Sequence, residues 1–220
     1  MPGQEKFLEI LEEAAKEGDE DRVALIINDI VNSGEDSSES SCLSSGLLFS
    51  ADAGHDEVVK LFLDHGVSVN TEGCQEGVFL NQTALMRAAI SGHHSTVKLL
   101  LERGADVNFQ NSAGRTAMMY AAERKYPDIV SELMQNGADK SLRRDCKEGE
   151  GPGVTAYELA ERNGSVNVIK IFSIYDNQYE ILGEELYKAA QEGNSRLVRG
   201  LLVAGANPEY RSRQITWLTS

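Results

Sequence analysis

The chain has 220 residues and a formal net charge of −14, from 35 acidic and 21 basic side chains. Hydrophobic residues are 41% and charged residues 25% of it, enough apolar material for a core and too much for wholesale disorder. The acidity argues against nucleic-acid binding and against docking on anionic membrane, because both need clustered Lys and Arg. No apolar run approaches the roughly 18–20 residues that cross a bilayer.

In chain order, residues 1–21 (MPGQEKFLEILEEAAKEGDED) are acidic and amphipathic, unlike a signal or transit peptide. LEEAAKEGDEDRVALIINDIV, residues 11–31, predicts a pair of helices charged on the outer side. SGEDSSESSCLSS, residues 33–45, is expected to be a mobile link. Helix pairs are then predicted over 46–70, 83–108 and 116–139, followed by an insertion around RDCKEGEGPG. A divergent pair follows over 155–172, another pair over 186–207, and ITWLTS ends the chain.

These segments repeat. TALMRAAISGHHSTVKLLLERGADVN, residues 83–108, is echoed by TAMMYAAERKYPDIVSELMQNGAD, residues 116–139. Thr83 to Thr116 and Gly104 to Gly137 are each 33 residues. Gly54 to Gly66, Gly92 to Gly104 and Gly193 to Gly205 are each 12. The sequence therefore resembles the ankyrin-repeat family, over about 200 residues and about six repeats. The resemblance implies an all-α solenoid of stacked helix-turn-helix units with short β-hairpin fingers.

The expected division is one domain. It has an N-terminal capping repeat at 4–34, a Ser-rich acidic link at 35–45 and repeats at 46–79, 80–112 and 113–145. An insertion at 146–153, a divergent repeat at 154–180, a repeat at 183–214 and the start of a truncated repeat at 215–220 complete it. Ending in mid-unit suggests a fragment of a longer protein. The physical chemistry agrees with the resemblance. Thr83 and Thr116 suit helix N-caps, with Ser45 in that place in the second unit. Ala88-Ala89 and Ala121-Ala122 allow close helix approach, and Gly104 and Gly137 suit left-handed caps.

No catalytic constellation appears. Cys42, Cys74 and Cys146 are odd in number and lack metal-ligand spacing, which reads as reduced thiols in the cytoplasm or nucleus. The resemblance assigns His55 and His93 to bonds with neighbouring backbone. His94 is expected to face solvent, and His65 suits a helix C-terminus. GEGPG lacks the GK[ST] of a phosphate loop. No enzyme, metal or cofactor is expected.

Function then falls to shape. The resemblance implies binding of a partner protein through a concave face of first helices and fingers. The positions concerned are Gln82, Ile90, Ser91, Phe109, Arg115, Glu123, Arg124, Arg162 and Asn163. Phe79 and Val154 are further finger positions. Arg115, Arg124, Lys125 and Arg162, with Arg143, Arg144 and Lys147 beyond, point to a partner with an acidic segment, bound by a monomer acting as a scaffold or adaptor. Lys125 replaces the mid-repeat Gly, and Tyr126-Pro127 the His turn. The alternative is the targeting region of a larger enzyme such as a kinase or ubiquitin ligase. Charge is unevenly spread: residues 1–80 hold 18 acidic and 4 basic side chains, and residues 81–220 hold 17 of each. The acidity belongs to the N-terminal third.

Overall fold

A computed structural model describes residues 4–33, 38–73, 81–144 and 153–203. Among them the helices are α1 (Gln4–Glu17), α2 (Glu20–Ser33), α3 (Ser38–Ala53), α4 (Asp56–Asp64), α5 (Ala84–Ser91) and α6 (His94–Glu102). They continue with α7 (Ala117–Arg124), α8 (Pro127–Gln135), α9 (Ala156–Arg162), α10 (Val166–Gln191) and α11 (Ser195–Val203). The described residues are helical as expected, and α1 to α9 stack as successive helical hairpins.

Local chemistry sets the helix ends. The Thr83 hydroxyl accepts the Met86 N–H and the Thr116 hydroxyl accepts that of Met119. Thr155 and Glu158 form a reciprocal capping box. His65, at the end of α4, holds the Leu61 carbonyl at 2.8 Å from Nδ1, so it serves the helix terminus as expected. Gly66, Gly104 and Gly137 take φ of 84–86° after their helices.

Residues Met1–Val168 form one compact unit and Ile169–Ser220 another. In the first, α1, α3, α5, α7 and α9 pack in sequence as an inner layer, and α2, α4, α6 and α8 as an outer one. Alanines make the inner contacts close: Ala14, Ala15, Ala51, Ala88, Ala89, Ala121, Ala122 and Ala160 are fully buried. Larger residues fill the outer layer, among them Val59, Phe62, Val97, Leu100, Val130 and Leu133. In the second unit, Leu186 and Ala189 of α10 pack with Leu201 and Val198 of α11.

Three expectations are corrected. The Ser-rich stretch is helical from Ser38, as the start of α3. Serine lowers helix propensity only modestly, and no Gly or Pro interrupts 38–45. Ser45 is consequently a buried residue inside α3 rather than a cap. The divergent repeat and its successor share the 26-residue helix α10, so no turn separates them near residue 180. Neither Pro nor a closing Gly-Ala motif lies in that stretch. The insertion at 146–152, the chain end from 204, and Cys74, Phe79, Cys146 and Lys147 lie outside the described residues.

Regular strands are absent among the described residues. One antiparallel bridge, Glu72 to Thr83, marks the first finger. The Asn111 N–H to Arg115 carbonyl and Arg144 N–H to Val154 carbonyl bonds, at 3.0 and 3.1 Å, close the next two.

The mid-repeat turn couples successive hairpins. Gly18, Gly54 and Gly92 take φ of 74–84°, a left-handed conformation that L side chains rarely adopt. The space above each is filled by a ring from the next hairpin: His55, His93 and Tyr126 respectively. His55 Nε2 lies 2.9 Å from the Lys16 carbonyl oxygen, and His93 Nε2 lies 3.0 Å from that of Asp52. The structure thus bears out the inter-unit role expected of both histidines. At the fourth hairpin Lys125 takes the left-handed place, with φ of 65°. Ser165 holds the place in its unit that His55, His93 and Tyr126 hold in theirs, and Asn163 Nδ2 donates to the Glu123 carbonyl at 3.1 Å. Where the left-handed place carries a side chain, the next unit thus has no ring at the corresponding position in sequence.

A methyl at Gly54 would sit 2.5 Å from the His93 ring on a left-handed backbone. Gly54→Ala should therefore destabilise by at least ~1–2 kcal/mol in urea unfolding. Lys125→Gly should stabilise by up to ~1 kcal/mol, since it relieves the same backbone cost with no ring to accommodate.

Candidate partner-binding surface

The inner layer carries a polar chain that runs across hairpins. Arg87 Nη2 donates to Asp52 Oδ2 at 2.6 Å, and the Ser91 hydroxyl donates to Asp52 Oδ1 at 2.6 Å. Arg87 also reaches Gln82 Oε1, and Gln82 Nε2 donates to the Tyr120 hydroxyl at 3.0 Å. Asn111 Nδ2 donates to the same hydroxyl at 3.0 Å. The Arg115 guanidinium stacks 4.3 Å from the Tyr120 ring centroid and pairs with Glu123. Glu123, through its carbonyl, receives Asn163.

The fingers are tied in the same way. Asn70 Oδ1 accepts the Asp106 N–H at 2.8 Å, and Asn108 Oδ1 accepts that of Asp139 at 2.7 Å. Gln110 Nε2 donates to the Arg143 carbonyl at 3.0 Å. Arg143 turns back to Glu158 and to the Gly153 carbonyl. The Glu158 carboxyl is held below the usual carboxylate range, first by the Thr155 backbone N–H and then by Arg143 and Arg162. Partial burial lowers the Lys140 ammonium.

These bonds sort the nine positions expected to meet a partner. Gln82 is buried, so it joins neighbouring hairpins instead of presenting a finger tip. Ser91, Arg115, Glu123 and Asn163 spend their polar groups on internal contacts. Arg115 is 16% exposed, which removes it from the free positive surface. Val154 is likewise buried. Ile90 and Phe109 are half-buried, while Arg124 and Arg162 are exposed, as is Lys125. The inter-unit roles of Asp52, Arg87, Asn111 and Tyr120 were not read from the sequence.

Other expected chemistry is placed as follows. His94 is exposed, with Nε2 3.3 Å from Glu132 Oε2. Cys42 is half-buried on α3. Among the described residues no three His, Cys, Asp or Glu converge as metal ligands, and no helix is long and apolar enough to cross a membrane.

A family model described as ankyrin repeats matches three times, at residues 11–111, 72–144 and 106–182. Together these span most of the chain, which belongs to the ankyrin-repeat family. Ankyrin repeats are in general protein–protein interaction modules, on a fold that is not itself catalytic. No curated protein matches the sequence.

Tyr120→Phe should cost about 1–3 kcal/mol, because it strands the buried amides of Gln82 and Asn111. Thermal unfolding should show this, with helix content at 25 °C unchanged by circular dichroism.

Proposed function

We propose that this chain is a scaffold or adaptor that holds a partner protein on the face formed by the inner helices and fingers. One observation carries the reading. The polar chain from Asp52 to Glu123 fixes that face internally, yet it leaves Arg124, Lys125, Arg162, Ile90 and Phe109 outside its bonds. A rigid platform loses little conformational entropy on binding, so such residues make efficient contacts. Exposed guanidinium groups suit carboxylates, which they take through paired N–H donors. A partner with an acidic segment fits, and Phe109 offers an aromatic anchor.

Site-specific photocrosslinking tests the face. A benzophenone amino acid at Arg124 or Arg162 should label a partner in cell lysate, and the same group at Lys98 on outer helix α6 should not. Labelling confined to Lys98 would refute the assignment. Arg124→Glu with Arg162→Glu should abolish partner capture while shifting stability by under ~0.5 kcal/mol per site, as expected for exposed positions.

A further inference from the structure

The inner helices meet at seams, where the residue two before one left-handed position is met by the residue immediately before the next one. At the α3/α5 seam these are Asp52 and Ser91, bonded at 2.6 Å. At the α7/α9 seam they are Glu123 and Asn163, joined at 3.1 Å through the Glu123 carbonyl. The corresponding pair at the α5/α7 seam is Ile90 and Arg124. Unlike the other two pairs, Ile90 and Arg124 share no hydrogen bond among the described residues.

The ring position at the same seam is also changed. His55 and His93 each meet a carbonyl oxygen of the preceding hairpin. Tyr126 stands in their place with its ring over Gly92, and its hydroxyl makes no hydrogen bond among the described residues. Beside it, Lys125 holds a left-handed conformation that favours glycine, and its exposed ammonium adds a second cation. Glu123 does not neutralise Arg124, because Arg115 engages it. Three departures from the repeat thus fall at one place and leave two cations, a phenol donor and an apolar side chain together.

We propose that the α5/α7 seam recognises an aspartate or glutamate of a partner segment together with an adjacent apolar residue. This deepens the inner-face reading and rests on it. Arg124 takes the carboxylate, with Lys125 and the Tyr126 hydroxyl as further donors, and Ile90 packs against the apolar neighbour. Burying that neighbour gives the carboxylate contact a drier setting, where charge-assisted bonds are stronger.

Selection from a phage library of random 12-residue peptides tests the proposal. The chain is −14 overall, so non-specific attraction enriches Lys and Arg. Enrichment of Asp or Glu beside an apolar residue therefore reports a local site. The selected peptide, dye-labelled, should bind Arg124→Gln/Tyr126→Phe about tenfold more weakly by fluorescence polarisation, and Lys98→Gln unchanged. Tyr126→His should also weaken binding about tenfold while keeping or raising Tm, since imidazole can meet the Ile90 carbonyl as His93 meets that of Asp52. That variant separates recognition from folding. Selection of basic or purely apolar motifs, no selection at all, or affinities within twofold across the variants overturns the proposal. Crosslinking at Arg124 and Arg162 with such a result would leave the inner-face reading standing without it.

Discussion

The first three junctions between successive hairpins are each held by a ring resting on a glycine. The left-handed glycine opens a gap that a side chain would fill, and the histidine of the next hairpin enters it and meets a backbone carbonyl. In a linear array each hairpin has only its neighbours for support, so stability is set by such junctions as much as by the hairpins themselves. The alanine pairs follow from the same constraint. They let inner helices approach closely enough for the ring to span the gap.

Where the pattern changes, it changes in a compensated way. Where Lys125 takes the left-handed place, the following unit has Ser165, not a ring, at the corresponding position in sequence. The carbonyl that a histidine would have met is met by Asn163. The junction therefore survives without glycine or histidine, at the cost of a strained backbone at Lys125. At Tyr126 the ring remains, but its hydroxyl makes no hydrogen bond among the described residues. These neighbouring substitutions mark the middle of the array as different from its N-terminal part.

The inner surface shows how structure redistributes apparent binding residues. Polar side chains along α3, α5 and α7 look like a partner surface when judged by position alone. Most are spent on each other, since a polar group half-buried between helices needs a partner nearby. Outside these bonds lies the smaller set of Arg124, Lys125 and Arg162, with Ile90 and Phe109.

The period of 33, the alanine pairs, the threonine caps and the glycine-histidine turns were legible because each is a local signal, repeated. They determined the fold family, the helical hairpins and the structural use of His55 and His93. Two boundaries were misread for the same reason in reverse. The serines of 38–45 and the stretch around 180 carry weak local signals, and neighbouring helix decided both. Which of Gln82, Arg115, Asn163 and Arg124 were free was decided only by tertiary structure. Their bonds join residues 8 to 40 positions apart, and no local pattern encodes which side chain a polar group will find across a seam.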